Sequence, residues 1–252
     1  MKKNPKPGIS VIIPTQSFDD DLVRSILSCN SQVLKPKEIV VVLNNQKNCR
    51  TVRPEDIKKH SKIPIKIFIA SKTLTVGEAR NLGIKTASQS LISILDSGDE
   101  FEESHLSVAF NRLKADGFKK VYVCNYVNVE LNGRAKVRTK KKQPKISPQS
   151  IIINSPIGHS SMVAHRDVMG LYDHTNLRHD LKKWLELLNK GVEFSYNDQP
   201  HIKRNLSRQS LSANKFKLIV PHFVAVRQSL GTFAAVYGTL LSCIYHGVRS
   251  LR

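Results

Sequence analysis

Asp96-Ser97-Gly98-Asp99-Glu100 places three carboxylates within five residues, immediately after the apolar run Leu91–Leu95. Hard oxygen donors crowded in this way suit Mg²⁺ or Mn²⁺, and such a cation would in turn bind a diphosphate. The competing structural reading is capping, since an aspartate followed by acidic residues commonly opens a helix, here expected over Phe101–Ala115. A further acidic residue, Asp180, stands at the start of a stretch, Leu177–Asn189, whose Leu181, Trp184, Leu185 and Leu188 fall on one side of a helix. Other chemistries find little support. Cys29, Cys49, Cys124 and Cys243 are far apart, without a Cys-x-x-Cys pair or a Cys/His cluster. That argues against a structural zinc site or a disulfide framework and fits a reducing compartment.

The elements that must position these residues follow from the apolar pattern. Ile9–Pro14, Glu38–Leu43, Ile65–Ile69 and Leu91–Leu95 are short, nearly continuous apolar runs, while Asp19–Cys29 and Val76–Ala87 carry helical spacing. Buried β-branched runs alternating with amphipathic helices predict an α/β fold, Rossmann-like, with a mostly parallel sheet flanked by helices. Ligands of such sheets bind beyond the carboxyl ends of the strands. That directs attention to Pro14–Gln16, Leu43–Asn45 and Asp96–Asp99. Lys119–Glu130 reads as a long strand and Gly158–His165 as another. Arg134–Lys145 between them has seven basic residues in twelve, with no apolar periodicity, and reads as a loop.

With 252 residues the chain makes one sizeable domain or two small ones. Its 40 Lys and Arg against 20 Asp and Glu give a net charge of +20, and 40% hydrophobic residues supply a real core. Such a surface is drawn to polyanions: nucleic acid, anionic lipid or phosphorylated substrates. A nucleic-acid binder usually interleaves aromatics with its basic residues, and Arg134–Lys145 has none. The basic N-terminus runs into strand-like Ile9–Pro14 rather than an apolar signal core, so secretion is not expected. Between Arg227 and Arg249 lie 21 residues without a formal charge. Leu230, Phe233, Tyr237, Leu240, Leu241 and Ile244 recur there at helical spacing. The dilution by Ser and Thr favours an amphipathic helix lying on a membrane, with docking on the domain and a spanning helix as alternatives.

The order ISVIIPT, EIVVVLNN, GEARNLGI, LISILDSGDE and LRHDLKKWLELLNKG resembles the family 2 glycosyltransferases over roughly Ile9 to Ser212. This resemblance implies a GT-A fold in residues 1–212, with residues 213–252 as a helical tail, and a nucleotide-sugar donor. It implies that Pro14 and Thr15 lie along the base and ribose, where Asn44 replaces the aspartate usual at the second strand end. Arg80 of Gly77-Glu78-Ala79-Arg80-Asn81 would meet the nucleotide or diphosphate, or else pair with a strand-end carboxylate. Asp96 would reach the ribose or metal. Gly98 stands where many relatives have a third aspartate, so Asp99 would carry more of the Mg²⁺ or Mn²⁺ coordination. His179-Asp180 occupies the place of the family's Glu-Asp, which makes Asp180 the general base of an inverting transfer. His159 would face donor sugar or acceptor. Ser207–Ser212 departs from the usual His-Pro-Gly-Ser-x-Ser, leaving Arg204 or Arg208 to neutralise the diphosphate.

The expected activity is therefore transfer of a sugar, UDP-linked by family habit, to a membrane-anchored glycan in polysaccharide or lipopolysaccharide biosynthesis. The enzyme would sit at the inner face of the cytoplasmic membrane, in contact with anionic lipid and not with nucleic acid. A nucleic-acid-binding protein and a catalytically silent transferase-fold scaffold are the alternatives.

Overall fold

The computed structural model describes residues 7–44, 53–129, 135–137, 146–154, 157–173, 178–205 and 218–250. Nine strands are described: β1 (Ile9–Thr15), β2 (Glu38–Leu43), β3 (Ile65–Ile69), β4 (Leu91–Ile94), β5 (Glu100–Phe101), β6 (Val121–Val129), β7 (Ala135–Val137), β8 (Val163–His165) and β9 (Phe194–Asn205). They form one sheet in the order β3-β2-β1-β4-β8-β6-β9-β5, with β7 alongside β6. The first four strands pair in parallel, as the alternating pattern predicts. Beyond β4 the sheet is mixed: β8 runs antiparallel to both β4 and β6, and β9 parallel to β6.

The helices are α1 (Asp20–Asn30), α2 (Pro54–Lys58), α3 (Val76–Thr86), α4 (His105–Ala115), α5 (Pro148–Asn154), α6 (Arg166–Met169), α7 (His179–Asn189), α8 (Ile219–Leu230) and α9 (Thr232–Ser250). They cover both faces of the sheet. Ile9, Val11 and Ile13 of β1 pack with Leu22 and Ile26 of α1 on one face, and Ile12 packs with Ala79 and Ile84 of α3 on the other. Strands buried on both faces explain why their sequences are continuously apolar rather than alternating.

Three elements differ from the sequence expectation. The helix expected from Phe101 begins at His105, because Glu100 and Phe101 pair with Lys203 and Ile202 as an edge strand. Gly158–His165 divides into a 3₁₀ turn at His159–Ser161 followed by β8. The tail is two helices, broken at Gly231, where φ is +88°. Within the basic run Arg134–Lys145, Ala135–Val137 forms β7, and the rest lies outside the described residues. So does the expected domain division at 213.

Glu38, at the start of β2, ties three segments together. It accepts from Ser10 Oγ (2.6 Å) and from Ser88 N–H (2.5 Å), and it pairs with Lys66 Nζ (2.7 Å). Burial alone would raise its pKa. The Lys66 pair and the serine hydrogen bonds win, and hold the carboxyl down at about 2 against an ordinary 4.5. By linkage this depression is worth on the order of 3 kcal/mol. It is present above the ordinary range and lost as pH falls from about 4.5 toward 2. Glu38→Gln should therefore unfold at lower denaturant than wild type at pH 7, and the gap should close with acidification. A gap independent of pH would sink this account.

Candidate functional site

The site is built on the chain reversal after β4. Asp99 N–H donates to the Asp96 carbonyl at 3.0 Å, closing a turn whose third residue, Gly98, has φ +94°. A positive φ at that position is what a type II turn requires. Three side chains hold the turn in place. Ser25 of α1 accepts from Gly98 N–H (3.0 Å) and donates to the Asp99 carbonyl (2.8 Å). Asn205, ending β9, donates to the Gly98 carbonyl (2.6 Å). Ser160 accepts from Asp96 N–H (3.1 Å) and donates to Asp99 Oδ2 (2.5 Å), fixing one carboxylate against the other's backbone.

Arg80 reaches this turn from α3. Thr75 and Glu78 form a reciprocal capping box, Glu78 N–H to Thr75 Oγ1 at 3.1 Å and Thr75 N–H to Glu78 Oε2 at 2.8 Å, which sets where the helix starts. Gly77 faces the Asp173 carbonyl, which a Cβ there would meet at 2.2 Å. One turn on, Asn81 exchanges two hydrogen bonds with the backbone of Tyr172, at 2.7 and 2.9 Å. Gly77 and Asn81 thus draw the Tyr172 loop onto the helix. The Tyr172 ring then stands 5.5 Å from the Arg80 guanidinium. Arg80 is only 2% exposed and donates to Asp96 Oδ1 at 2.5 Å. This is the ion-pair alternative weighed for Arg80 from the sequence.

The carboxylates fall into different electrostatic states. Asp96 keeps 41% of its side chain exposed. Partial burial disfavours its anion, but Arg80, His159 and His179 hold its pKa well below the ordinary range. Asp99 is buried. Desolvation and the nearby Asp96 push it up to about 7, against the Ser160 hydrogen bond and the charge of Arg204. Asp180 lies in the first turn of α7, where its Oδ1 accepts from Leu181 N–H at 2.8 Å. Burial works against its charge as well, yet His179, His159 and Arg178 lower its pKa, so it is anionic at neutral pH.

Arg204 sits on β9 with its guanidinium 5.8 Å from the Tyr126 ring. Burial opposes its charge, and Asp99, Tyr126, Asp96 and Asp180 favour it. Asp96, Asp99, Asp180, Arg80 and Arg204 therefore share one electrostatic neighbourhood. His159 lies among them, buried, its Nε2 2.9 Å from Tyr172 Oη and its ring against Tyr172, Trp184 and His179. Burial and the Arg80 charge depress its pKa well below the usual imidazole value, while Asp96 and Asp180 pull it back up.

Pro14 and Thr15 end β1 beside Val42 and Leu43 of β2. The Asn44 N–H donates to the Thr15 carbonyl at 2.8 Å, and its carboxamide exchanges two 2.6 Å hydrogen bonds with the backbone of Leu74. Asn44 thus fastens the segment before α3 to the strand ends. Arg208 and Asn45 lie outside the described residues.

Among the described residues no three His, Cys, Asp or Glu side chains form a metal-holding group. Two carboxylates nevertheless suffice for Mg²⁺ or Mn²⁺ when diphosphate oxygens and water complete the shell. The raised pKa of Asp99 beside Asp96 marks a place where positive charge is wanted, so the residues present fit such an ion. Sequence reasoning missed Ser25, Ser160, Asn81, Tyr172 and Asn205. Only Asn81 carried a signal, lying inside a quoted motif.

Gly98 is needed for its conformation as well as its small size. A Cβ would lie 3.3 Å from Asp21 Oδ2. Gly98→Ala should lower unfolding stability by about 1–3 kcal/mol. An alanine variant as stable as wild type in denaturant titration would refute the constraint.

The fold has counterparts among known proteins. Residues 10–169 match the sequence model of glycosyl transferase family 2. The chain is similar to an uncharacterized glycosyltransferase of Haemophilus influenzae (strain Rd), 24% identical over 93% of this chain and 94% of that protein. It is also similar to TuaG, a putative teichuronic acid biosynthesis glycosyltransferase of Bacillus subtilis (strain 168), 25% identical over 85% of each. Its fold superposes on S. aureus TarS with a TM-score of 0.65 at 17% identity, covering 95% of this chain and 43% of the TarS chain. The 1–349 portion of TarS, crystallised with UDP-GlcNAc, gives 0.67 over 95% of this chain and 71% of that one. The fold is thus that of GT-A enzymes, and with more than half of its length matched the chain belongs to glycosyl transferase family 2.

Proposed function

We propose that this transferase moves a sugar, with inversion, from a nucleotide-sugar donor to a hydroxyl of a membrane-anchored glycan in cell-surface polysaccharide or lipopolysaccharide assembly. The observation that carries the reading is the convergence of Asp96, Asp99 and Asp180 with Arg80 and Arg204 at the carboxyl end of the parallel strands. UDP is the favoured nucleotide, because the TarS portion was crystallised with UDP and with UDP-GlcNAc. The description of TuaG as a putative teichuronic acid biosynthesis glycosyltransferase supports a cell-surface polysaccharide as the product.

Pro14, Thr15 and Asn44 are the strand-end residues available to base and ribose, with the second N–H of Asn44 still free of the Leu74 clamp. Asp96 and Asp99 would hold Mg²⁺ or Mn²⁺. That ion, when bound, supplies positive charge against the departing diphosphate. Arg204, and Arg80 through its pairing with Asp96, add fixed cations beside the same carboxylates.

Asp180 takes the acceptor's proton. The acceptor oxygen forms the new bond to the anomeric carbon from the face opposite the diphosphate, whose C–O bond breaks with its electron pair leaving on the nucleotide. A carboxylate held below its ordinary pKa is a weak base for a ground-state hydroxyl. It becomes competent as the attacking oxygen gains positive character in the transition state. His159, packed against Tyr172 and Trp184, lies in the same electrostatic neighbourhood as Asp96 and Asp180.

Two substitutions separate binding from chemistry. Asp180→Asn should leave UDP affinity within a few-fold while transfer falls by roughly two to four decades. Transfer near the wild-type rate would reduce Asp180 to a helix cap. Asp99→Asn should abolish the part of UDP binding that depends on Mn²⁺, read by calorimetry with and without the ion. Metal-dependent binding that survives the change would remove Asp99 from the metal site. A screen across UDP-, GDP- and dTDP-sugars identifies the donor.

A further inference from the structure

The C-terminal helix α9 is oriented against the usual logic of a surface helix. At about 100° per residue, its buried residues Ala235, Gly238 and Ser242 fall on one narrow face. All three are small. Gly238 lies so close to α5 that a Cβ there would come within 2.5 Å of Ile152 Cγ2. The large apolar side chains Phe233, Val236, Tyr237, Leu240 and Ile244 fall on the diametrically opposite face, exposed to solvent, with Phe233 at 86%. The helix therefore buries its small residues and presents its large ones. Beside it, α8 exposes Val220, Val224 and Arg227, again on one face at i, i+4 and i+7. A continuous apolar stripe on a protein surface marks something that covers it.

Charge indicates what covers it. No Asp or Glu follows Asp198, while eight Lys and Arg do, and the whole chain carries +20. Two copies meeting through this face would bring like charges together. An anionic lipid surface offers the opposite sign together with an apolar layer a few ångströms deep. Tyr237 is suited to that boundary, with an apolar ring and a polar tip. No described helix is long and apolar enough to cross a membrane, so the stripe would lie in the interface plane. We infer that the outward face of α9, with the adjoining face of α8, is a docking surface for anionic membranes, inserting Phe233, Val236, Tyr237, Leu240 and Ile244 at the headgroup boundary. This deepens the reading of a membrane-anchored acceptor by naming the surface that meets the membrane, and it concerns lipid binding independently of donor chemistry.

The test uses the full chain and vesicles of phosphatidylcholine with or without phosphatidylglycerol. Wild type should float with the anionic vesicles, and raised salt should weaken that binding without abolishing it, because apolar insertion is not screened. Phe233→Ser combined with Leu240→Ser, both solvent-exposed positions, should lower partitioning at high salt by roughly tenfold or more. Phe233→Trp should shift its emission to the blue on anionic vesicles, over the constant background of the single native tryptophan, the buried Trp184. Unchanged flotation of the double variant would overturn the inference. So would a wild type that ignores the vesicles, or one that is a dimer by light scattering and becomes monomeric in the double variant, since a second copy would then cover the stripe. UDP binding measured on the same samples keeps this outcome distinct: a variant that binds UDP but not lipid supports the docking surface, and a failed transferase reading would appear as absent UDP binding in wild type.

Discussion

A guanidinium sealed inside a protein must be given a partner, since an unpaired buried charge costs far more than a lost hydrogen bond. Arg80 imposes that constraint here. It leaves the interior through one contact, its 2.5 Å bond to Asp96, and its Nε and Nη1 find no hydrogen-bond partner among the described residues. The Tyr172 ring beside it supplies a favourable quadrupole in place of further acceptors. Much of the surrounding architecture serves to keep those two groups where they are. Asn81 pins the Tyr172 backbone, and the Thr75–Glu78 box fixes the start of α3. Lys183, itself buried, donates to the Met169 and Leu171 carbonyls and holds the approach to Tyr172 from the other side.

That pairing divides the work among the carboxylates. Asp96 is committed to Arg80, so its negative charge is already half answered by the protein. Asp99 forms no ion pair among the described residues and is met only at longer range by the Arg204 charge. It is buried against a serine hydroxyl and feels Asp96 as a like charge, which leaves it the group with the most to gain from an added cation. Asp180 is held anionic chiefly by His179, His159 and Arg178. Three acidic side chains of ordinary chemistry thus acquire three different properties from their surroundings. The salt bridge that gives the buried Arg80 its partner also sets the charge on Asp96.

The sequence made the sheet legible because its central strands are nearly continuously apolar where both faces are buried, and Glu38–Leu43, and Ile65–Ile69 at the sheet edge, have the bounds the pattern predicts. Acidic residues open many elements here, among them Asp20, Glu38, Glu55 and Glu78, so Asp96, Asp99 and Asp180 stood out only through the motif order shared with the family. What the sequence hid depends on contacts between distant segments. Ser160 meets Asp99 across 61 residues and Asn44 meets Leu74 across 30, and nothing in the local pattern of either predicts a partner. The edge strand at Glu100–Phe101 exists only because β9 returns beside it, so local reasoning folded those residues into a helix. For the tail the sequence left open how the helix is turned. Periodicity reveals which residues share a face, but not which face is turned inward, and on α9 the inward face is the one with small side chains.

Those two C-terminal helices are part of the site's support. Ala225, Val226 and Ala235 belong to the same core as Trp184 and Leu181 of α7. Polar ties fasten α8 along the length of α7. Arg178, which precedes α7 in the left-handed conformation, donates to His222 Nδ1 at 2.9 Å, and Asn189 at the far end donates to the Ser229 carbonyl at 3.0 Å. Helices joined at both ends and packed between move together rather than sliding, because interdigitated side chains resist small displacements. Asp180 is two residues from Arg178, so its position is referred directly to α8 and, through α8, to the exposed stripe of α9. The exposed face of α9 and the carboxylate of Asp180 are thereby held at a fixed distance from each other, and if that face docks on a membrane as inferred, the fixed distance is the geometric condition for meeting a membrane-anchored hydroxyl repeatedly.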